Sequence, residues 1–502
     1  MALSLPAKKL YVLWACILLC LLPFVILSFF NFLSYDDYGA ITIFDKYGFL
    51  KAQQLIYLTW EGRFTATFVC GVCEKAGLLT HSYFLVFFLF AFFTWIAIFF
   101  FLNSVNRYVL NRIFSRMSLV PASMVLFVMN MYVMTETSSG VYWFSAAAVY
   151  QTAFILFLIL MGCLIRRLAI AGGSTPRRNI SQDLIIVFLC ILLCGTNEVA
   201  MIALVCFLFL LIAAYRYYGV PVSKPLFLYL AVVLLTGVII LLTSGIWSMR
   251  RSMMGHTGYP TVIMIILFRV VTIFYYVLKE PLFWACAGAC FMLGMRAGIT
   301  PAAEKLSRAL GRKRYFIPGI TGILLMVLCT LAPILWVTHG SIPYRALNDM
   351  TSLAAFALLV LFFLAGVGNP SLAQIVLPVK HLSVLMIALI CCGLLVCNIY
   401  RESWKNVITG YFYHAIQTDR QKIFTAAREH HERVAVIKPY ETALSEKVQQ
   451  IFPNGAPATF LQLLEERPTL LYFDNEAEKR TPLQRFLLGY YQLDSIVLQP
   501  KP

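Results

Sequence analysis

Tyr35-Asp36-Asp37-Tyr38 places two carboxylates directly after a long apolar run, where a charged group is expensive to keep. Such a pair suits a general base, a metal ligand or a cation site; it equally suits the N-cap of a helix starting near Tyr38. Downstream, Trp60-Glu61-Gly62-Arg63 sets an arginine beside a glycine, so a guanidinium could approach a phosphate closely and bind it through two N–H groups. An interfacial Trp with a snorkelling Arg accounts for the same residues. Ser138-Ser139-Gly140-Val141-Tyr142-Trp143, with Tyr150 and Gln151 beyond it, offers aromatic faces for sugar C–H groups, or an ordinary aromatic belt. Thr196-Asn197-Glu198 holds a carboxylate between two apolar runs, a depth at which function is the commoner reason. Arg250-Arg251 with His256, and His339 through Ser341, Pro343, Arg345 and Asp349, supply cations that either an anionic ligand or the neighbouring acids would pair.

The chain that positions these groups has 502 residues, of which 61% are hydrophobic and 13% charged. A soluble globular domain is nearer half apolar and a quarter charged, so that class is excluded. Apolar runs of roughly 17–22 residues recur, the length that crosses a hydrocarbon core. We expect about eleven spans, near 10–31, 83–102, 118–135, 143–165, 184–196, 198–215, 226–244, 281–296, 317–337, 352–367 and 382–399. Segment 261–278 carries Arg269 mid-run and reads as interfacial or re-entrant, with a full span as the alternative. The run from Leu10 to Phe30 follows Lys8 and Lys9 without a small-residue cleavage pattern, so it reads as an uncleaved first span.

The formal charge of +17 does not point to nucleic acid, because most basic residues sit in short loops between spans. With the N-terminus cytoplasmic, Arg107, Arg112, Arg116, Arg166, Arg167, Arg177, Arg178, Arg216, Lys224 and the 296–314 loop fall inside. Asp36, Asp37, Asp45, Glu61, Glu74, Glu136, Glu198 and Asp349 fall outside. This division predicts a multi-pass membrane protein with an acidic outer face. All the candidate residues lie on that face, as a phosphate-bearing, hydroxyl-rich substrate requires.

Two domains are expected: a membrane domain over 1–399, with amphipathic helical pieces (41–58, 65–79) in a first outer loop at 32–82, and a small extracytoplasmic domain over 400–502. In the latter, Thr425 to Val436 and Thr442 to Ile451 have helical spacing, while Leu470 to Phe473 and Ser495 to Leu498 are β-like. Most of the 14 cysteines lie in apolar runs and act as small hydrophobes. Cys70 and Cys73 form a CxxC, a weak zinc signal without a second pair or nearby histidines.

A first span followed at once by an Asp-Asp pair in a long, helix-bearing outer loop resembles the GT-C-type polytopic membrane glycosyltransferases. More narrowly, the order of motifs resembles the bacterial family related to O-antigen-modifying glucosyltransferases. The matching residues are Asp36-Asp37-Tyr38, Trp60-Glu61-Gly62-Arg63, Trp143 with Tyr150, Asn197-Glu198, Arg250-Arg251, Arg345 and the ending Gly489 to Ile496. Phe144-Ser145-Ala146 departs from the pattern, in which a glycine usually follows the Trp. The resemblance covers nearly the whole chain but rests on short, spaced motifs.

The resemblance implies an enzyme of the cell envelope that moves a sugar from a polyprenyl-phosphate donor to a lipid-linked or cell-surface glycan such as O-antigen, a part of lipopolysaccharide. It also implies inversion, with Asp36 or Asp37 as general base. Arg63, Arg250, Arg251 and Arg345 would meet the donor phosphate; Tyr38, Trp60, Trp143, Tyr150, Glu198 and His256 would meet sugar or acceptor. No cofactor is required; a divalent cation (Mg or Mn) is optional, with Asp36 and Asp37 the residues to hold it. Donor-synthesising and donor-flipping membrane proteins are the partners implied. The rivals are a transporter or flippase for a lipid-linked or anionic solute, and a lipid-linked glycan polymerase or ligase.

Overall fold

The structure, a computed structural model, describes residues 7–171, 179–243, 259–300, 315–337, 343–369, 379–465, 469–470 and 484–499. Among them the fold is helical apart from one two-stranded sheet. Nine described helices are long and apolar enough to cross a membrane, or ten if the bent pair Val384–Val396 and Asn398–Glu429 forms one span. The chain is an all-α, multi-pass membrane protein.

Helix α1 (Ala7–Ser28) ends at what we term the upper end of the bundle. There the first loop folds into α2 (Tyr35–Tyr47), α3 (Phe49–Thr59), α4 (Phe64–Lys75) and the single turn α5 (Leu78–His81). The expected amphipathic piece 41–58 is thus two helices, split at Gly48. The bundle continues with α6 (Leu85–Tyr108), α7 (Arg116–Val133), a π-helical turn (Ser138–Tyr142), α8 (Phe144–Ala171), α9 (Ile180–Cys194), α10 (Glu198–Tyr217) and α11 (Lys224–Thr243). Several starts are written in the sequence: the side chains of Ser115, Asn179 and Asn197 each accept a backbone N–H of the first turn of α7, α9 and α10.

The second half holds α12 (Tyr259–Leu278), α13 (Pro281–Gly298), α14 (Phe316–Val337), a 3₁₀ turn (Tyr344–Leu347) leading into α15 (Asn348–Val367), and α16 (Val379–Val396). By length and composition Thr261–Leu278 is a candidate span, the alternative to the interfacial reading, since Arg269 is a single charge in an otherwise apolar helix. Its guanidinium lies 4.5 Å above the ring of Tyr344, at the upper end. The run expected at 184–196 is the shorter helix α9, and the one expected at 281–296 is α13; neither is among the nine.

Large apolar side chains of α1, α7 and α8 fill the core, among them Phe24, Tyr132, Phe144 and Phe154. The closest helix crossing is between α13 and α15. A Cβ on Gly366 would lie 2.1 Å from the Phe291 carbonyl oxygen, and one on Gly294 would lie 2.1 Å from that of Phe363. Gly294 and Gly298 form the small-xxx-small spacing that brings backbones together in lipid, where van der Waals contact replaces the hydrophobic effect as the driving force. At the lower end Arg167 pairs bidentately with Asp183 (2.7 and 3.2 Å), which also accepts the Tyr229 hydroxyl, tying α8, α9 and α11 together.

Helix α17 (Asn398–Glu429) leaves α16 at a bend of 42°. The tail then runs through β1 (Val434–Ile437), α18 (Tyr440–Ile451), α19 (Ala458–Glu465), α20 (Gln484–Tyr491) and β2 (Ser495–Leu498), with β1 and β2 paired in parallel. Thr425 to Val436 is therefore not one helix: the chain leaves helix at Glu429 and enters β1, whose Ala435 and Ile437 are buried against Ile496. Of the β-like run 470–473 only Leu470 is described. The tail is continuous with the bundle, since Tyr411, Tyr413 and His414 of α17 pack on Phe30 and Phe32 just beyond α1.

Candidate active site

The two adjacent aspartates face opposite ways. Asp37 is fully buried, and each of its oxygens is committed. Oδ2 accepts the Ser34 backbone N–H at 3.0 Å and the Tyr83 hydroxyl at 2.7 Å; Oδ1 accepts the Ser145 backbone N–H at 2.9 Å and the Ser145 hydroxyl. Ser34 is the N-cap of α2 and Asp37 its N3 residue, so the carboxylate closes a capping box while also gripping the first turn of α8. Tyr83 is held in turn, accepting the Phe144 N–H at 3.1 Å. Burial raises the Asp37 pKa, and the donors from Ser145, Ser34 and Tyr83 work against that rise. These bonds commit the Asp37 carboxylate to tying the start of α2 to the first turn of α8.

Asp36 is half-buried and carries no hydrogen bond from the protein among the described residues. Burial raises its pKa above the ordinary carboxylate value, opposed by the nearby charges of Arg345 and then Arg63. An ionisable carboxylate lacking internal donors and set opposite guanidinium groups is free to accept a proton from something that enters the site.

Arg63 is not a free cation. It bridges Glu61 (3.0 Å) and Glu198 (3.0 Å, with a second N–H at 3.3 Å), so its first partners are protein carboxylates. Although burial opposes it, the flanking Glu198 and Glu61 hold the guanidinium firmly protonated. Burial raises the pKa of Glu61; Arg63 offsets this, while Glu198 and Asp36 add to it. The loop that carries Arg63 is pinned to the break between α9 and α10. The Thr65 N–H donates to the Gly195 carbonyl at 2.9 Å, and the Thr65 hydroxyl to that of Leu192 at 2.7 Å. Gly195 is required there, because a Cβ would stand 2.4 Å from the Phe64 ring. Glu198 is thus an ion-pair partner of Arg63.

Arg345, on the 3₁₀ turn, lies 4.4 Å above the ring of buried Trp143. Trp143 is therefore a seat for that guanidinium. Asn197 spends its amide on Asp349 (3.0 Å) and the Val149 carbonyl, and its oxygen on the Ala200 N–H. Tyr150 is buried within electrostatic reach of Arg63, Arg345 and Glu198. Tyr38 is buried and packs at 5.0 Å on Tyr490 and 5.9 Å on Tyr491 of the tail. Trp60 is half-buried with its ring on Phe486. Arg250, Arg251, His256, His339 and Ser341 lie outside the described residues.

The structure thus joins Asp36, Glu61, Arg63, Tyr150, Glu198 and Arg345 into one cluster at the upper end. Tyr83 and Ser145, which hold Asp37, drew no attention in the sequence, although Ser34-x-x-Asp37 carried a readable capping signal. Cys70 and Cys73 are free thiols on α4; burial pushes the Cys73 thiol up to about 11, which suits an inert side chain better than a metal ligand. Among the described residues no group of three or more His, Cys, Asp or Glu side chains converges as a metal cage. No family model matches the chain, and comparison with curated proteins and with solved structures returned no match.

Proposed function

We propose that the protein is a membrane glycosyltransferase that uses a polyprenyl-phosphate-linked sugar as donor and a lipid-linked or cell-surface glycan such as O-antigen as acceptor, on the outer face of a bacterial inner membrane. One observation carries the reading: of two adjacent carboxylates, Asp37 is consumed by internal hydrogen bonds while Asp36 is left open opposite Arg345 and Arg63. A structural carboxylate needs no such opening; a general base does.

In this reaction the acceptor hydroxyl oxygen bonds to the anomeric carbon as the bond from that carbon to the phosphate oxygen breaks. The hydroxyl proton passes to the Asp36 carboxylate, and the leaving electron pair stays on polyprenyl phosphate. Arg345 is the described cation best able to meet that phosphate. Its guanidinium is oriented by stacking on Trp143, whereas Arg63 is shared between two glutamates. The Glu61–Arg63–Glu198 bridge is the wall that keeps Arg63 in place while contributing net negative charge beside an oxocarbenium-like centre. Attack from the side opposite the leaving phosphate inverts the anomeric carbon. Within this reading the N-terminus is cytoplasmic and the tail periplasmic, on the same side as the site.

The test is purified full-length protein with radiolabelled polyprenyl-phosphate hexoses and a pool of lipid-linked oligosaccharides. Label moving into the acceptor with the wild type, and lost with Asp36→Asn, supports the assignment. Label crossing the bilayer of proteoliposomes without transfer, with active donors confirmed, overturns it in favour of a transporter.

A further inference from the structure

Resting on the transferase reading, we infer that the seam between tail helix α20 and the first loop is the acceptor subsite, with the Trp60–Phe486 ring pair as its stacking surface and Arg485 at its rim. Trp60 ends α3 and immediately precedes Glu61-Gly62-Arg63, so its chain neighbours are in the reaction cluster while its ring lies 6.0 Å from that of Phe486. Phe486 also closes on α2: a Cβ on Gly39 would stand 3.0 Å from its ring, and Gly39 is one helical turn after Asp36. The pair therefore stands beside the base as well as beside Arg63.

Both rings are only half-buried, and Arg485 is exposed with its guanidinium 5.1 Å from the Phe486 ring centre. Core aromatic residues of this chain differ: Tyr38 and Tyr491, on the same seam, are buried. The half-open rings present flat apolar area for the C–H face of a pyranose, while the Arg485 N–H groups can donate to ring hydroxyls. Donor phosphate calls for cations at the membrane surface, whereas Trp60 and Phe486 lie toward the tail. The ligand assigned to them is thus the sugar chain of the acceptor.

Full-length wild type, Phe486→Ala, Phe486→Tyr and Arg485→Ala are compared in two ways. In the transfer assay, acceptor concentration is varied at saturating donor; in titration calorimetry, oligosaccharides released from the lipid-linked pool are bound to each protein. We expect Phe486→Ala to raise the acceptor KM and the calorimetric Kd together, by roughly five- to tenfold, the scale of one aromatic stacking contact. Arg485→Ala should produce a smaller rise, and Phe486→Tyr should restore wild-type values. Unchanged Kd and KM with a reduced kcat would make Phe486 a support for α2 only and overturn the subsite. Oligosaccharide binding that Phe486→Ala weakens, without any transfer by the wild type, leaves the subsite standing and removes the transferase reading. Neither binding nor transfer by the wild type overturns both.

Discussion

Asn in place of each aspartate in turn separates the chemistry of the site from its construction. At position 37 the two carboxylate oxygens each receive one backbone N–H, from Ser34 and from Ser145. A hydroxyl can rotate away from a new donor, but an N–H fixed in the main chain cannot. Whichever way the substituted amide is turned, its NH₂ therefore faces a buried N–H. The loss combines one charge-assisted hydrogen bond, about 1.5–3 kcal/mol, with one orphaned buried donor, about 1–3 kcal/mol. A neutral amide is cheaper to bury than a carboxylate, which brings the net cost to about 3 kcal/mol. Thermal unfolding in detergent should show Asp37→Asn melting roughly 5 °C below wild type. Asp36→Asn should melt within about 1 °C of wild type, because no internal donor is disturbed, while transfer falls by about 10²–10⁴, the usual contribution of a general base. An Asp37→Asn protein that melts normally yet is inactive, beside an active Asp36→Asn, would refute the division of roles.

Arg345→Ala removes the described cation seated on Trp143, and we expect kcat/KM for the donor to fall by about 10²-fold or more; Arg345→Lys should recover only part of this, since an ammonium lacks the planar fork. The raised pKa of Asp36 predicts that kcat/KM falls as pH drops through a value above the ordinary 3.8, because only the ionised carboxylate accepts a proton. That acidic limb, read from a pH–rate profile, should vanish in the residual activity of Asp36→Asn. Gly366→Ala forces a methyl group to within 2.1 Å of the Phe291 carbonyl oxygen, so α13 and α15 must separate. We expect about 2 kcal/mol of destabilisation, within the overpacking range, seen as a lower melting temperature with little change in donor KM.

The spans and the long first loop were legible because crossing a bilayer imposes a length and a hydropathy that any sequence must declare. Glu198 and Arg345 were legible as charges needing a reason. What each charge pairs with was not, since pairing is a matter of distant contacts. Ser145 is 108 positions from Asp37, and Glu198 is 135 from Arg63. That Trp143 and Arg345 face one another is equally invisible at either sequence position. The ring partners of Tyr38 were hidden for the same reason, since they lie in the tail. Val434 to Val436 was absorbed into a helix because a four-residue strand leaves too short an alternation to outweigh the helical spacing before it.

The packing of α20 on α2 also bears on biosynthesis. The first loop emerges from the ribosome early, yet the rings that cover Tyr38 and close on Gly39 belong to residues 486–491, made long after it. Until then the turn bearing Asp36 lacks its roof, and chain synthesis imposes a long delay between inserting the reactive loop and completing it. On the transferase reading, a chain that stops before α20 inserts its spans and stays inert. On that reading, activity therefore waits for the synthesis of α20, so its packing on the first loop doubles as a check on the finished site.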